Sequence, residues 1–486
     1  MFSPPRMPGP LVATVALVAL LAAWYAFFLP VGALQHGDEF LTLDRAASFL
    51  RHDDWLTVFS NNAPTFKKPP LQYWAIAGLM ALGLDLELAL RLPSFLFGLG
   101  LLGATAWLAR IVIPERGWAP PVAVLLLACS ERFWEVSLSA LLDTGATFFA
   151  TLALAGAFSA IRRPAHWWIV ALACGIGAVQ KAPTPLLFAA IPLIVMGVTR
   201  RWSGASLRES LQTKHFAGAF FLALVLVAFW PGLQWLRHGA ESFREAYMQQ
   251  MVERFSPFED AAAASRWSLF TLFADGEPSL RALGLIALAW LPFGGGRREF
   301  LGMPVMVGLY ALVVSFATGI VSPRYSLLFL PMMMVALAVA TVSIPKHPLR
   351  QASLLVAVVL LASGPVKSQR QLGMTEEGSS RLIPLIRSVG AAAQPEETLA
   401  YCGRSDDGER LYVGALSYYG NVAKTWMPIR KPDQLAAMVS AGAMTPPLRG
   451  ICATPQFGRL QRFLEGAEIV EESEGFVHWT ARGVKE

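Results

Sequence analysis

The chain has 486 residues, of which 55% are hydrophobic and only 15% charged, against about 25% charged in soluble proteins, which excludes a purely soluble globular chain. The formal net charge of +6 does not mark a nucleic-acid binder, because the basic residues sit in short loops between apolar runs. That placement is the distribution expected of a membrane protein whose positive loops face inward, so membrane lipids are the first partners and no nucleic acid is expected.

Residues 10–30, PLVATVALVALLAAWYAFFLP, reach the roughly 20 residues that a helix needs to cross about 30 Å of hydrocarbon. The run is uncharged through Phe28 and lacks a small-residue cleavage site, so it reads as an anchor rather than a cleaved signal peptide. Lipid offers the backbone no hydrogen-bond partners, so each such run must be helical. Further spans are predicted over residues 93–113, 118–130, 142–161, 167–180, 183–199, 216–236, 281–295, 300–319, 323–344 and 351–367, about eleven in all. With the N-terminus inside, the inner loops hold Arg6, Arg110, Arg116, Arg162, Arg163, Arg200, Arg201, Arg208, Lys214, Arg297, Arg298, Lys346 and Arg350, against Glu115, Glu209 and Glu299. Residues 31–92, residues 237–280 and the tail from residue 368 then fall outside.

The first outer loop, within a predicted membrane domain of residues 1–367, carries the densest chemistry. Asp38 and Glu39 follow the first span directly; an acidic pair there caps a helix, stands in solvent, or belongs to a site. Leu43, Ala46, Ala47 and Leu50 recur at helical spacing with Asp44, Arg45, Ser48 and Arg51 between them, predicting an amphipathic helix over 40–51 lying on the membrane surface. Residues 71–83 form a second interfacial stretch, preceded by Lys67 and Lys68 and stiffened by Pro69 and Pro70.

Asp143 stands at the outer end of the fourth span, where an unpaired carboxylate is costly and an ionisable group marks a cavity or a cap. Lys181 follows a run of about 14 apolar residues, roughly 21 Å of helix. That is too short to cross, so its QKAP turn should be sunk below the surface, with an anion or the lipid headgroups as partner. Arg324 and Tyr325 open the tenth span, again outside. Carboxylates and cations on one face, beside a membrane, suit displacement at a sugar carbon bonded to a lipid phosphate: cations stabilise the leaving phosphate and a carboxylate takes the nucleophile's proton.

The tail, residues 368–486, alternates strand-like runs (TLAYC, NVAKTW, RGICAT, AEIVEE, GFVHWTA) with helix-like ones at 379–394, 431–441 and 456–464, predicting a small α/β domain with a mainly parallel sheet. Cys129 and Cys174 lie in apolar spans as packing residues. Cys402 and Cys452 each end a predicted strand; an oxidising compartment permits a disulfide, but spacing alone leaves the pairing open.

The order GDE, KKPPLQYW, RLPSFLFG, LLDTGATFF, QKAPTPLL and PRYSLLFLP resembles the membrane glycosyltransferases of the GT-C type, specifically the bacterial branch that holds the lipid A aminoarabinose transferase and relatives of the protein O-mannosyltransferases. The similarity covers about the first 345 residues. It implies a mainly α, polytopic GT-C fold with a small periplasmic α/β domain, in a multi-pass protein of the bacterial inner membrane whose active site is periplasmic. It also implies an inverting transfer from a polyprenyl (undecaprenyl) phosphate sugar to a lipid, glycan or protein acceptor. The family's catalytic acid maps onto Asp38, with Glu39 beside it, and its second outer acid onto Asp143. Its KPP lysine maps onto Lys68, its turn lysine onto Lys181 and its late basic-aromatic pair onto Arg324 and Tyr325.

Leu41 and Thr42 replace the Arg and Tyr that follow the acid pair in aminoarabinose transferases, so aminoarabinose and lipid A are not carried over. Lys67 replaces an acid that helps hold a metal ion there; no cofactor is expected, and Lys67 argues against a metal. A transporter or lipid flippase is the alternative, although its charges would lie near the midplane in related halves of the chain; a receptor scaffold acting through the tail is the third reading.

Overall fold

The computed structural model describes residues 9–30, 34, 38–181, 183–199, 204–249, 278–294, 297–316, 323–343, 382–394, 397–402, 413–420, 425–429, 431–473 and 475–485. It divides into two compact units: Met1–Pro30, Thr65–Ile76 and Leu88–Gln371 form one, and Val31–Pro64, Ala77–Glu87 and Leu372–Glu486 the other.

The first unit is helical. Its helices are α1 (Gly9–Ala26), most of α3 and α4 (Leu71–Ala81 and Leu86–Val112), α5 (Ala119–Ala128), α6 (Glu131–Ser137), α7 (Asp143–Ala160), α8 (Trp167–Gln180), α9 (Thr184–Thr199), α10 (Gly204–Leu211), α11 (Lys214–His238), α12 (Ala240–Phe243), α13 (Pro278–Phe293), α14 (Gly302–Phe316) and α15 (Leu330–Ser343). α2 (Asp38–His52) belongs to the second unit. Helices cover the predicted spans in order as far as residue 343; the remaining one, residues 351–367, lies outside the described residues. By length and apolar composition, α1, α4, α11 and the segment Arg324–Ser343 are sufficient to cross a membrane. α4 begins before the predicted span and runs through Pro93, whose missing N–H leaves the Ala89 carbonyl without its usual helical donor.

The centre of this unit is α7, DTGATFFATLALAGAFSA, buried along nearly its whole length. Its small residues let neighbours approach closely, as lipid gives helices no hydrophobic reason to associate and close packing must do so instead. α8 and α9 lie against it, together with the 3-10 segment Pro323–Phe329. At Gly156 an added Cβ would stand 3.0 Å from Val170 Cγ2 of α8, so the absent side chain sets the spacing.

The second unit contains a five-stranded sheet in the order β4-β3-β5-β8-β7, from β3 (Thr398–Cys402), β4 (Thr425–Pro428), β5 (Leu448–Ala453), β7 (Glu468–Ser473) and β8 (Phe476–Ala481), with a short strand β6 (Leu464–Glu465) outside that sheet. β3 is parallel to β4 and β5, while β8 is antiparallel to β5 and β7. The sheet is therefore mixed rather than mainly parallel: the chain reverses between β7 and β8 at Gly475, whose φ of +74° suits a glycine, and so short a link can only join antiparallel strands. Cys402 and Cys452 sit opposite each other on β3 and β5, Cα atoms 4.5 Å apart, and are joined by a disulfide. Trp479 Nε1 donates to Cys452 Sγ at 3.2 Å within a core that includes Leu448, Phe457 and Val477.

α2 is not half-exposed like a surface-lying helix. Glu39, Phe40, Thr42, Leu43, Asp44, Arg45, Ala46, Ser48 and Phe49 are all buried, and it packs on the helix Val413–Tyr419 of the same unit. Asp44 accepts from Arg51 Nη2 at 3.1 Å and from the Asn61 backbone N–H at 2.7 Å, while Ser48 Oγ accepts from Phe59 N–H at 3.2 Å. These bonds fasten a short hairpin, β1 (Phe59–Ser60) with β2 (Ala63–Pro64), whose corner residues Asn61 and Asn62 both have positive φ.

His478 on β8 is fully buried, and neither ring nitrogen has a hydrogen-bond partner among the described residues. Burial, and then the neighbouring Arg449, push its imidazole down to about 4 from an ordinary 6.5, with Glu471 opposing. Between those values the unfolded chain binds a proton that the folded one refuses, so stability is complete above about pH 6.5 and declines as the pH falls toward 4. Thermal unfolding followed from pH 7 to 4 should show this decline, and His478→Met should flatten it.

Candidate functional site

Asp143 is the first residue of α7, where a carboxylate is favoured by the N–H groups of the helix start. It is buried, and its two oxygens face two cations: Lys181 Nζ lies 2.5 Å from Oδ1 and Arg324 Nε 3.7 Å from Oδ2. Tyr325 supports both, its ring centroid 4.9 Å from Lys181 Nζ and 5.9 Å from Arg324 Cζ. Charge taken out of water is costly unless it is paired, and a carboxylate between two cations meets that condition.

The backbone explains how Lys181 arrives there. α7 has 18 residues and α8, packed beside it, 14; the difference of four is about 6 Å of helix rise. α8 therefore stops short of the level where α7 starts, and the stem of Lys181, which ends it, covers the step. Arg324 and Tyr325 come from the 3-10 segment that lies against α7.

These residues line a cavity of about 330 Å³. Lys67 and Lys68 also line it, from the stretch before Pro69, as do Thr147 of α7, Tyr310 of α14, and Trp230 and Gln234, one turn apart on α11. The lysine stretch is held to α11 by Phe66 against His238 and by Trp74 edge-on to Trp230, with ring centroids 5.0 and 5.6 Å apart. Among the described lining residues the charged ones are Lys67, Lys68, Lys181 and Arg324 with Asp143, a lining rich in cations and suited to an anion.

The structure thus brings Lys68, Asp143, Lys181, Arg324 and Tyr325 to one cavity. Asp38 and Glu39 lie in the other unit as the first turn of α2, Glu39 buried and Asp38 half-buried. Among the described residues no group of three or more histidines, cysteines or acids is gathered as a metal site. Sequence reasoning passed over Gln72, Ser94 and Gln180, all fully buried beside Asp143. Their signal was present: each is a polar residue inside one of the apolar motifs KKPPLQYW, RLPSFLFG and QKAPTPLL.

A family model described as dolichyl-phosphate-mannose-protein mannosyltransferase matches residues 67–235, the stretch that runs from Lys67 past Asp143 and Lys181 into α11. Among solved structures, ArnT from Cupriavidus metallidurans bound to undecaprenyl phosphate is similar with a TM-score of 0.73 and 16% identity, over 98% of this chain and 98% of that one. Its apo form gives a TM-score of 0.70 and 16% identity, over 97% and 98%. The archaeal oligosaccharyltransferase AglB from Archaeoglobus fulgidus, in complex with an inhibitory peptide and a dolichol-phosphate, gives 0.57 and 12%, over 96% and 74%. Among curated proteins no sequence matches significantly. At these identities the likeness is one of fold.

Removing the carboxylate leaves two cations facing each other. Asp143→Asn should therefore cost about 2 kcal/mol, less than the roughly 3–5 kcal/mol of a fully dry pair because Lys181 and Arg324 reach some water. Asp143→Asn combined with Lys181→Met should recover part of that loss. Thermal unfolding of the purified variants in detergent measures both.

Proposed function

We propose, from the premise that this is a membrane protein with the GT-C fold of the ArnT and protein-mannosyltransferase type, that the chain transfers a sugar from a polyprenyl phosphate, undecaprenyl phosphate in a bacterium, to a lipid, glycan or protein acceptor. The observation that carries the proposal is the cationic cavity around Asp143, because a site rich in fixed positive charge favours the phosphate more as negative charge builds on it. The undecaprenyl phosphate bound by ArnT and the dolichol-phosphate bound by AglB support a lipid phosphate as the anion.

The chemistry is a single displacement. An acceptor oxygen attacks the anomeric carbon, the bond from that carbon to the phosphate oxygen breaks, and the lipid phosphate leaves with the electron pair. One attack from the face opposite the leaving group inverts the anomeric centre. Lys68, Lys181 and Arg324 hold the phosphate, with Tyr325 stacked against the last two. Asp38, with Glu39 beside it, accepts the acceptor's proton or orients its hydroxyl, an assignment that rests on the resemblance of the GDE segment. Asp143 keeps Lys181 and Arg324 at a fixed separation and restrains their charge until the phosphate arrives.

The reaction is assigned to the non-cytoplasmic face, the periplasm of a bacterium. Two features favour this: the inner loops predicted from the basic residues, and the disulfide between Cys402 and Cys452, a bond that persists in oxidising compartments. In protein recovered from cells and denatured without reductant, a thiol reagent should leave Cys402 and Cys452 unlabelled, and reduction should expose them; labelling without reduction would count against that side.

The direct test compares lipids, glycans and envelope proteins by mass spectrometry from cells with and without the chain, looking for a difference of one sugar. Asp38→Asn should reduce transfer by about 100-fold or more, the scale of a lost acid-base group. Arg324→Met should lower kcat more than it raises the donor KM, because the charge that Arg324 meets grows as the phosphate leaves. Normal transfer by Asp38→Asn at normal protein levels removes Asp38 from the mechanism.

A further inference from the structure

Three buried polar side chains from three separate segments converge on the two peptide groups that precede Asp143. Gln72 of α3, Ser94 of α4 and Gln180 of α8 are each fully buried. Gln180 Nε2 donates to Gln72 Oε1 at 2.7 Å and to the Leu142 carbonyl at 3.2 Å. Gln72 Nε2 donates to Ser94 Oγ at 2.8 Å and to the Leu141 carbonyl at 3.2 Å, and Ser94 Oγ in turn donates to Leu141 at 2.9 Å.

The network meets a local need. The chain enters α7 through an irregular turn, and the Leu141 carbonyl lies before the helix, where no helical N–H reaches it. Two side-chain donors meet it instead. The closest approach is allowed by Gly145, on the first turn of α7, where an added Cβ would strike Gln180 Nε2. An apolar packing solution needs none of these groups; every donor in the network is met, while Gln180 Oε1 has no hydrogen-bond partner among the described residues. What the network fixes is specific: Asp143 is the residue after Leu142, and Lys181 is the residue after Gln180, so one amide is tied to the backbone neighbours of both members of the ion pair.

We propose that Gln72, Ser94 and Gln180 are positioning residues, a buried amide-hydroxyl clamp that sets the separation of Asp143 and Lys181. The functional consequence rests on the glycosyltransferase reading of the cavity; the geometric one does not. Gln180→Met keeps the volume and removes the donor. Gly145→Ala keeps every hydrogen-bonding group and pushes the Gln180 amide away.

Both variants should raise the rate at which an amine-acylating reagent modifies Lys181, read by peptide mass spectrometry, at least severalfold over the wild type, because the lysine loses its fixed partner. Sugar transfer should fall about tenfold to 100-fold, as displacement of a reacting group by about 1 Å costs that order. In the Asp143→Asn background, adding Gln180→Met should lower transfer by less than about twofold, since two changes acting through one pair are not additive. If Gln180→Met does not fold, Gly145→Ala, alone and in the Asp143→Asn background, decides.

Unchanged Lys181 reactivity in the folded variants overturns the clamp whether or not the protein transfers sugar. Multiplicative losses in the Asp143→Asn background overturn it as well, marking the network as general packing. A wild-type chain that transfers no sugar while the labelling result holds sinks the enzymatic reading and leaves the clamp standing.

Discussion

A carboxylate that has left water must be met by fixed partners, and at Asp143 those partners come from distant parts of the chain. Lys181 is supplied by the end of α8 and Arg324 by the segment before α15, and each requires its own helix to be placed against α7. Satisfying one buried charge therefore constrains the register of three helical segments. Small residues along α7 make that arrangement reachable, since larger ones would hold α8 and α9 too far away.

The apolar spans were legible because their signal is length and hydrophobicity, which lipid enforces on each helix separately. The shortness of α8 was legible for a related reason, because its apolar run of 14 residues is bounded by polar ones. The partnership between Lys181, Arg324 and Asp143 was only indirectly visible, because a sequence shows which charges are out of place but not which one answers another. Gln72, Ser94 and Gln180 went unread since an uncharged polar residue in an apolar stretch is ordinary, and only the convergence on Leu141 and Leu142 gives it meaning.

In the second unit the strand segments of the tail stood close to where alternation put them, but their directions did not. Alternating strands and helices favour parallel pairing, yet β7 and β8 follow each other with no helix between, and that hairpin converts the sheet to a mixed one. α2 shows the converse limit. Its apolar spacing was correctly helical, but a stripe that fits a membrane surface fits a protein surface equally well, and burial of Asp44 and Arg45 was not encoded in the stripe.

The unequal lengths of α7 and α8 act as a ruler. A helix turns 100° with each residue, so one residue gained or lost in α8 would change its reach by only about 1.5 Å but would rotate its terminus by more than a quarter of a circle. Lys181 would then point away from the carboxylate that it now meets. Many apolar exchanges within α8 leave that measure untouched, whereas a single-codon insertion or deletion destroys it. The helix is permissive in composition and strict in residue number.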